Sequence, residues 1–344
     1  MATGRTYSGR EWSVILGIAD NSNANGQIGD LTQDANAVTD TKVLFRVDTP
    51  INDIAWDAAY SRSEIERAGV RAIRAEDVAN HYGSGVWTWD FSYVADNEQA
   101  CHDLLVLIYP QGGALSAGTL TIPANPAVED YSMSSSTETT DCTAFIILNN
   151  PLAAEDRKMH SAILQNLTIA MDIGTNGGRP TMSGQFMTGY KPVFGSNTVG
   201  ADSNGSDSDY TKGIFDCTTA TIEASTVSVK SFDITIDNPA SRVGFQGSSG
   251  ETDGYVRGTR FNVSGNISFK ADSVAQEFLT SHWNANDTLA IVLGDGSTIN
   301  FSIPAAAITS FTNDMADDGS FITCSWVATS GPSGANALAT IIMS

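Results

Sequence analysis

A chain of 344 residues is long enough to bury one large hydrophobic core or two ordinary ones. Its composition, 41% hydrophobic, is that of a globular protein, but 39 acidic against 18 basic residues leave a formal net charge of -21. That balance argues against ordinary nucleic-acid binding, which neutralises phosphates with Lys and Arg, and against docking on acidic membranes.

The N-terminal stretch MATGRTYSGREWSVILGIADN has neither the apolar run of roughly 7 to 15 residues nor the small-residue cleavage site of a signal peptide. No secretion route is expected. VLFRVDTP (43–50) reads as an alternating strand that ends in Asp and Pro and opens a long polar loop, 48–85. VWTWDFSYV alternates through Trp87, Trp89, Phe91 and Tyr93. It turns at Ala95-Asp96, with Asp96 and Gln99 spaced as a capping box, into a helix carrying Ala100, Cys101, Leu104 and Leu105. The longest apolar run, LLVLIY at 104–109, is far below the roughly 18 residues of a membrane span, so a soluble protein is expected. LQNLTIAMDIGTNGGRPTMSGQFMTG (164–189) is strand, Gly-containing turn, strand.

Residues 194–213, rich in Gly, Ser, Asn and Asp, read as a linker or an exposed loop. The grammar then repeats. FDITIDNP (232–239) again ends in Asp and Pro and opens a polar loop, 237–258. FNVSGNISFK places Phe261, Val263, Ile267 and Phe269 on one face and Asn262, Ser264, Asn266, Ser268 and Lys270 on the other. Asp272 is positioned to cap a helix striped by Val274, Ala275, Phe278, Leu279 and His282. A hairpin turns at Gly294-Asp295-Gly296, and another at Asp317-Asp318-Gly319. In the last strand Ile322, Cys324 and Trp326 share a face, falling where Met182, Gly184 and Phe186 fall earlier. Element order and phase point to an internal duplication, with domains at 10–193 and 212–344 around a linker at 194–211.

Catalytic signatures are absent: there is no H-E-x-x-H, Walker A loop, G-x-S-x-G or G-x-G-x-x-G. His81, His102, His160 and His282 stand in different elements, as packing or capping residues would. DSNGSDSD (202–209) offers Asp202, Asn204, Ser206 or Asp207, and Asp209 as oxygen donors, but lacks the bidentate Glu and fixed glycine of a calcium loop, and a solvated acidic linker explains it more simply. Asp90 with Asp233 could be drawn as a glycosidase pair, yet both lie on the polar phase of predicted strands. Cys101, Cys142, Cys217 and Cys324 are widely spaced and read as buried free thiols. No catalytic residue, metal or cofactor is assigned, and no enzyme activity is expected. An alternative is a carbohydrate-binding or adhesin-type β-sandwich module, which would need Trp87 and Trp89 exposed as a stacking platform; their shared phase with the helix stripe reads instead as core.

The order strand, long polar loop, RFNVSGNISFKAD, helix SVAQEFLTSHW, hairpin around GDG, hairpin ending FITCSWVAT resembles the tube domain of siphophage tail tube (major tail) proteins, relatives of contractile-tail and type VI secretion tubes. The resemblance covers 227–329 closely and 43–190 more loosely. It implies a mainly β fold with a few helices: two tandem tail-tube-like β-sandwich or barrel domains, each with a flanking α-helix. It further implies a structural virion protein of the phage tail, made in the host cytoplasm, that polymerises into stacked rings forming the channel for DNA ejection. Its partners would be copies of itself, in trimeric rings with pseudo-sixfold symmetry, and other tail proteins. DNA would pass without specific binding, and no membrane is involved. The channel lining would be Thr88, Asp90, Ser92, Thr235, Asp237, Asn262, Ser264, Asn266 and Ser268. The loops would reach the adjacent ring through Asp53, Trp56, Arg67 and Arg71 in the first and Arg242, Phe245 and Arg257 in the second.

Overall fold

A computed structural model describes residues 11–18, 42–45, 54–57, 60–64, 78–82, 86–110, 118–126, 129–132, 143–149, 156–195, 209–243, 252, 254–258, 260–272, 288–316 and 319–344. The first half holds β1 (Ser13–Ile18), β2 (Lys42–Phe45), β3 (Ala55–Asp57), β4 (Tyr60–Glu64), β5 (Val78–Tyr82), β6 (Val86–Val94) and the helix α1 (Glu98–Ile108). It continues with β7 (Thr119–Ile122), β8 (Glu129–Ser132), β9 (Ala144–Asn149), β10 (Arg157–Asp172), β11 (Thr181–Thr188) and β12 (Val193–Phe194). The second half holds β13 (Thr219–Ile222), β14 (Ser225–Thr226), β15 (Val229–Asp237), β16 (Ser241–Val243), β17 (Gly254–Arg257) and β18 (Asn262–Lys270). After these come β19 (Thr288–Gly294), β20 (Ile299–Ala316), β21 (Gly319–Ala328) and β22 (Ala339–Met343). The fold is mainly β, as expected.

The same pairing order occurs in each half. β1 pairs with β9, β9 with β10, β10 with β12 and β11, β11 with β6, and β6 with β3. Likewise β13 pairs with β19, β19 with β20, β20 with β22 and β21, β21 with β18, and β18 with β15. Even the irregularities coincide. In β10 the register slips between Leu164 and Asn166 opposite β11; in β20 it slips between Ile308 and Ser310 opposite β21. These bulges sit where each long strand leaves one group of partners for another, the bend a strand needs to serve two layers. Through them Phe186 corresponds to Trp326, Gly184 to Cys324 and Met182 to Ile322.

The halves meet at β10 and β15, which pair from Asn166↔Asp237 to Asp172↔Ser231. The result is one antiparallel run in the order β3, β6, β11, β10, β15, β18, β21, β20. At its two ends, among the described residues, no strand pairs with the outer side of β3 or of the Ser310–Ala316 stretch of β20. A single hydrophobic cluster runs from Val14 to Met343 beneath this sheet, so the halves share a core. Trp89, Phe91, Tyr93, Ile234, Ile236, Ile267, Phe269, Cys324 and Trp326 all enter it. The apolar side of α1, including Leu104, Leu105 and Ile108, is buried there too.

Each half sets a glycine opposite an aromatic ring, at places that are not equivalent. Gly184 lies opposite Phe91 in the first, whereas Gly265 lies opposite Trp326 in the second. A Cβ on Gly265 would fall 2.0 Å from the Asp233 carbonyl oxygen and 2.7 Å from the Trp326 ring. The indole therefore occupies the space that glycine leaves.

Three details differ from the sequence reading. The cap of α1 is Asn97, whose Oδ1 accepts from Ala100 N at 2.9 Å, because the Tyr93 hydroxyl donates to Asp96 Oδ1 at 2.8 Å and takes that carboxylate away from the helix. Gln99 donates forward to Asp103 rather than back to the cap. The strand beside β6 is Ala55–Asp57, not the neighbourhood of Asp48, so the shared Asp-x-Pro pattern did not mark equivalent positions. The second predicted helix lies beyond Asp272, outside the described residues, as do Cys142, residues 202–208 and the turn residues Asp317 and Asp318.

Both ends of the predicted linker are built into the fold. Phe194 pairs with Arg157, and Tyr210 is buried, its backbone N donating to Asp96 O.

Candidate channel-lining face

Alternation puts every second residue of the eight-strand run on the side opposite the core. Thr88, Asp90, Ser92, Thr235, Asp237, Asn262, Ser264, Asn266 and Ser268 all fall on that side, and the registers bring them into rows. One row reads Ser92, Ser183, Thr168, Thr235, Ser264, Val327 across β6, β11, β10, β15, β18 and β21. A second reads Asp90, Gln185, Asn166, Asp237, Asn262. Two more are Val94, Thr181, Ala170, Asp233, Asn266, Ser325, Ser310 and Asp172, Ser231, Ser268, Thr323, Thr312. Hence β10, β11 and β21 contribute as much of the face as the strands singled out from sequence. Their alternation, Asn166, Thr168, Ala170 and Thr181, Ser183, Gln185, was the available signal.

The polar groups satisfy one another across strands. Thr168 and Thr235 share a hydrogen bond at 2.8 Å. Gln185 Nε2 donates to Asp90 Oδ1 at 2.8 Å, and Asn266 Nδ2 donates to the Asp233 carboxylate at 3.1 Å. Ser325 Oγ donates to Asn266 Oδ1 at 2.7 Å, and Thr323 Oγ1 to Ser268 Oγ at 3.1 Å. Amide donors are thus handed to carboxylates, leaving a surface of short side chains rich in acceptors. Burial raises the Asp233 carboxyl above its ordinary pKa, against the lowering effect of the hydrogen bonds from Asn266.

Asp90 and Asp233 do not converge. They lie on strands three spacings apart, about 14 Å at about 4.8 Å per strand, beyond the reach of a glycosidase pair, and each is held by an amide. Trp87, Trp89, Phe91 and Tyr93 are buried, so they form core and not a stacking platform. Where β15 and β18 end beside Phe321 stand two lysines: Lys270, opposite Phe321, and Lys230, whose Nζ lies 4.5 Å over the Phe321 ring.

The loop residues fare differently. Asp53, Arg67, Arg71 and Phe245 lie outside the described residues. Trp56 lies on β3, opposite Trp87, and is part of the sheet. Arg242 is half-buried on β16. Arg257 is buried: its guanidinium donates to the carbonyls of Asn238 and, at 3.1 Å, Leu107. It ties the base of the 237–258 loop to the end of α1, which corrects its expected outward role. The predicted 48–85 loop holds β3 and a β4–β5 hairpin, and the 237–258 loop holds β16 and β17.

The chain is thus a mainly β protein built on a broad antiparallel sheet, one face sealed over a core and the other given to small, mutually paired polar groups. A family model described as "Phage tail tube protein" matches residues 76–337, well over half of the chain. The chain belongs to that family and is a structural component of the phage virion. No curated protein matches it. Among the described residues no helix is long and apolar enough to cross a membrane.

Proposed function

We propose that this chain polymerises into stacked rings and that the polar face of its eight-strand run lines the channel through which DNA is ejected. The observation that carries this reading is the pairing of amides with carboxylates across the face, together with the absence of Lys or Arg between its first and last rows. A duplex slides past such a surface without a row of cations to grip its phosphates. The recurrence of one pairing order in both halves supports two tandem tube domains, 10–193 and 212–344 around 194–211. It also supports trimeric rings with pseudo-sixfold symmetry, as in long, non-contractile tails. Contacts between rings are assigned to the 48–85 and 237–258 loops. Synthesis takes place in the host cytoplasm.

The test is electron microscopy of the purified protein and of virions carrying Asn262→Lys, Ser264→Lys or Asn266→Lys. Hollow tubes are expected from the wild type. The variants should assemble yet eject DNA poorly. Persistent wild-type monomers in every condition would overturn the ring, and normal ejection by all three variants would overturn the lining.

A further inference from the structure

The β10–β11 and β19–β20 connections each carry an Asn or Asp followed by glycine: Asn176-Gly177 in the first and Asp295-Gly296 in the second. Such pairs are chemically weak points of a chain. Glycine has no Cβ to shield its amide nitrogen, and the preceding side chain holds a carbonyl carbon that this nitrogen can reach in a five-membered ring.

The first tip is open to that attack. Gly178 N donates to Thr175 O at 2.8 Å, closing a turn whose central residues, Asn176 at φ 50° and Gly177 at φ 64°, are both left-handed. A turn of this hand favours Asn-Gly, which accounts for the pair. Both residues are exposed, and a Cβ added at Gly177 would meet nothing within 4 Å. The amide is restrained by a hydrogen bond from Asn176 Nδ2 to Thr181 Oγ1 at 3.1 Å.

The second tip is closed to it. Asp295 Oδ1 accepts from Ser297 N at 2.8 Å, Thr298 N at 2.7 Å and Ile299 N at 3.1 Å, and Oδ2 accepts from the Thr298 hydroxyl. Desolvation pushes this carboxyl up, but the hydrogen bonds outweigh it and hold it well below the usual carboxylate range. Ring closure needs the neutral acid, so Asp295 is both pinned and in the unreactive form.

We propose that Asn176 is a site of spontaneous deamidation, which converts the tip between β10 and β11 to a mixture of isoaspartate and aspartate. Gly177 N gives up its proton and bonds to Asn176 Cγ; the Cγ–Nδ2 bond breaks, and Nδ2 leaves with that proton as ammonia. Water opens the resulting succinimide. Attack at Cγ yields aspartate, whereas attack at the backbone carbonyl carbon yields isoaspartate, whose main chain runs through Cγ and is one carbon longer. The longer chain displaces Gly178 N from Thr175 O. Either product adds a negative charge to a tip that Ile173 N anchors to Lys230 O at 3.1 Å. Folding slows the reaction, because the turn must open for Gly177 N to reach Cγ, but an exposed tip opens at little cost.

Mass spectrometry of the folded chain after incubation at mildly alkaline pH tests this, with fragmentation to tell Asn176 from the other Asn-Gly pairs, at Asn25 and Asn204. Residue 176 should gain the mass difference between an amide and an acid, and an isoaspartyl methyltransferase should label it. Asp295 should stay unlabelled. Thr181→Val, which frees Nδ2, should speed the conversion by about two- to tenfold, the worth of one hydrogen bond. Asn176→Gln, which would need a six-membered ring, should remain unmodified at that position. No conversion at 176 over a period in which the urea-unfolded chain converts fully, or isoaspartate forming at 295 as fast as at 176, overturns the proposal.

Discussion

The two halves repeat one pairing order, but only the first adds strands that reach across the joint between them. Between β6 and β9 the first half has residues 95–143, where the second half needs only 271–287 between β18 and β19. Two strands of that extra length reach into the other half: β7 pairs with β22, and β8 with β17. Side chains add to the clamp. Asn238 Nδ2 donates to Ile108 O at 2.9 Å, His102 Nε2 meets Met343 O at 2.7 Å, and the buried Tyr255 hydroxyl accepts from Gly189 N and donates to Ser161 O. The difference teaches that a repeated pairing order sets where the halves meet, while the hold of one half on the other draws on contacts from outside the sheet.

The strongest contrast between the halves should come from charging equivalent methionines. Met171→Lys buries an unpaired ammonium and is expected to cost about 4 kcal/mol or more, unfolding the chain at ordinary temperatures. Met315 is 82% exposed, so Met315→Lys should alter the melting by no more than about 0.5 kcal/mol, as read by calorimetry. Equal losses from the two would break the contrast.

Acid should discriminate the halves next. Burial, with the nearby Lys158 charge, lowers His160 from its ordinary value to about 4, and Pro304 stands in its place on β20. The unfolded chain then binds the extra proton between pH 6.5 and 4, so stability is lost as pH falls through that window, by about 3 kcal/mol. Urea denaturation of the monomer at pH 7 and pH 4.5 should show this loss, and His160→Gln should remove most of it.

Gly265→Ala is expected to cost about 2 to 3 kcal/mol, since the added methyl meets the Asp233 carbonyl and the Trp326 ring. Gly184→Ala should cost a similar amount through the Asn166 carbonyl, at 2.2 Å. A large disparity in their melting temperatures would show that the two glycine and aromatic pairings are not equally tight. Smallest, Tyr255→Phe should remove about 1 to 2 kcal/mol by stranding Gly189 N and Ser161 O, loosening the hold of the second half on the first. Hydrogen exchange at β17 should report it.

Much of this was legible because half-buried strands write their faces into the sequence at period two. The core phases of β6, β18 and β21 were readable from Trp89, Phe91, Ile267, Phe269, Cys324 and Trp326, and so was the match of Met182, Gly184 and Phe186 to the last strand. What escaped had no periodic signal. β3 is three residues, and its place beside β6 depends on a long-range pairing. β7 and β8 acquire meaning only from the half they clamp. Asp96 and Asn97 are both good caps, and the choice fell to a tyrosine hydroxyl that local spacing does not reveal.

Lys230 and Lys270 flank Phe321 at one end of strands whose opposite ends carry Asp237 and Asn262. A passage lined by such strands is directional. Under the proposed ring a polyanion would meet these two lysines once per layer and the acceptor-rich stretch between, in an order that reverses if the tube is turned end for end.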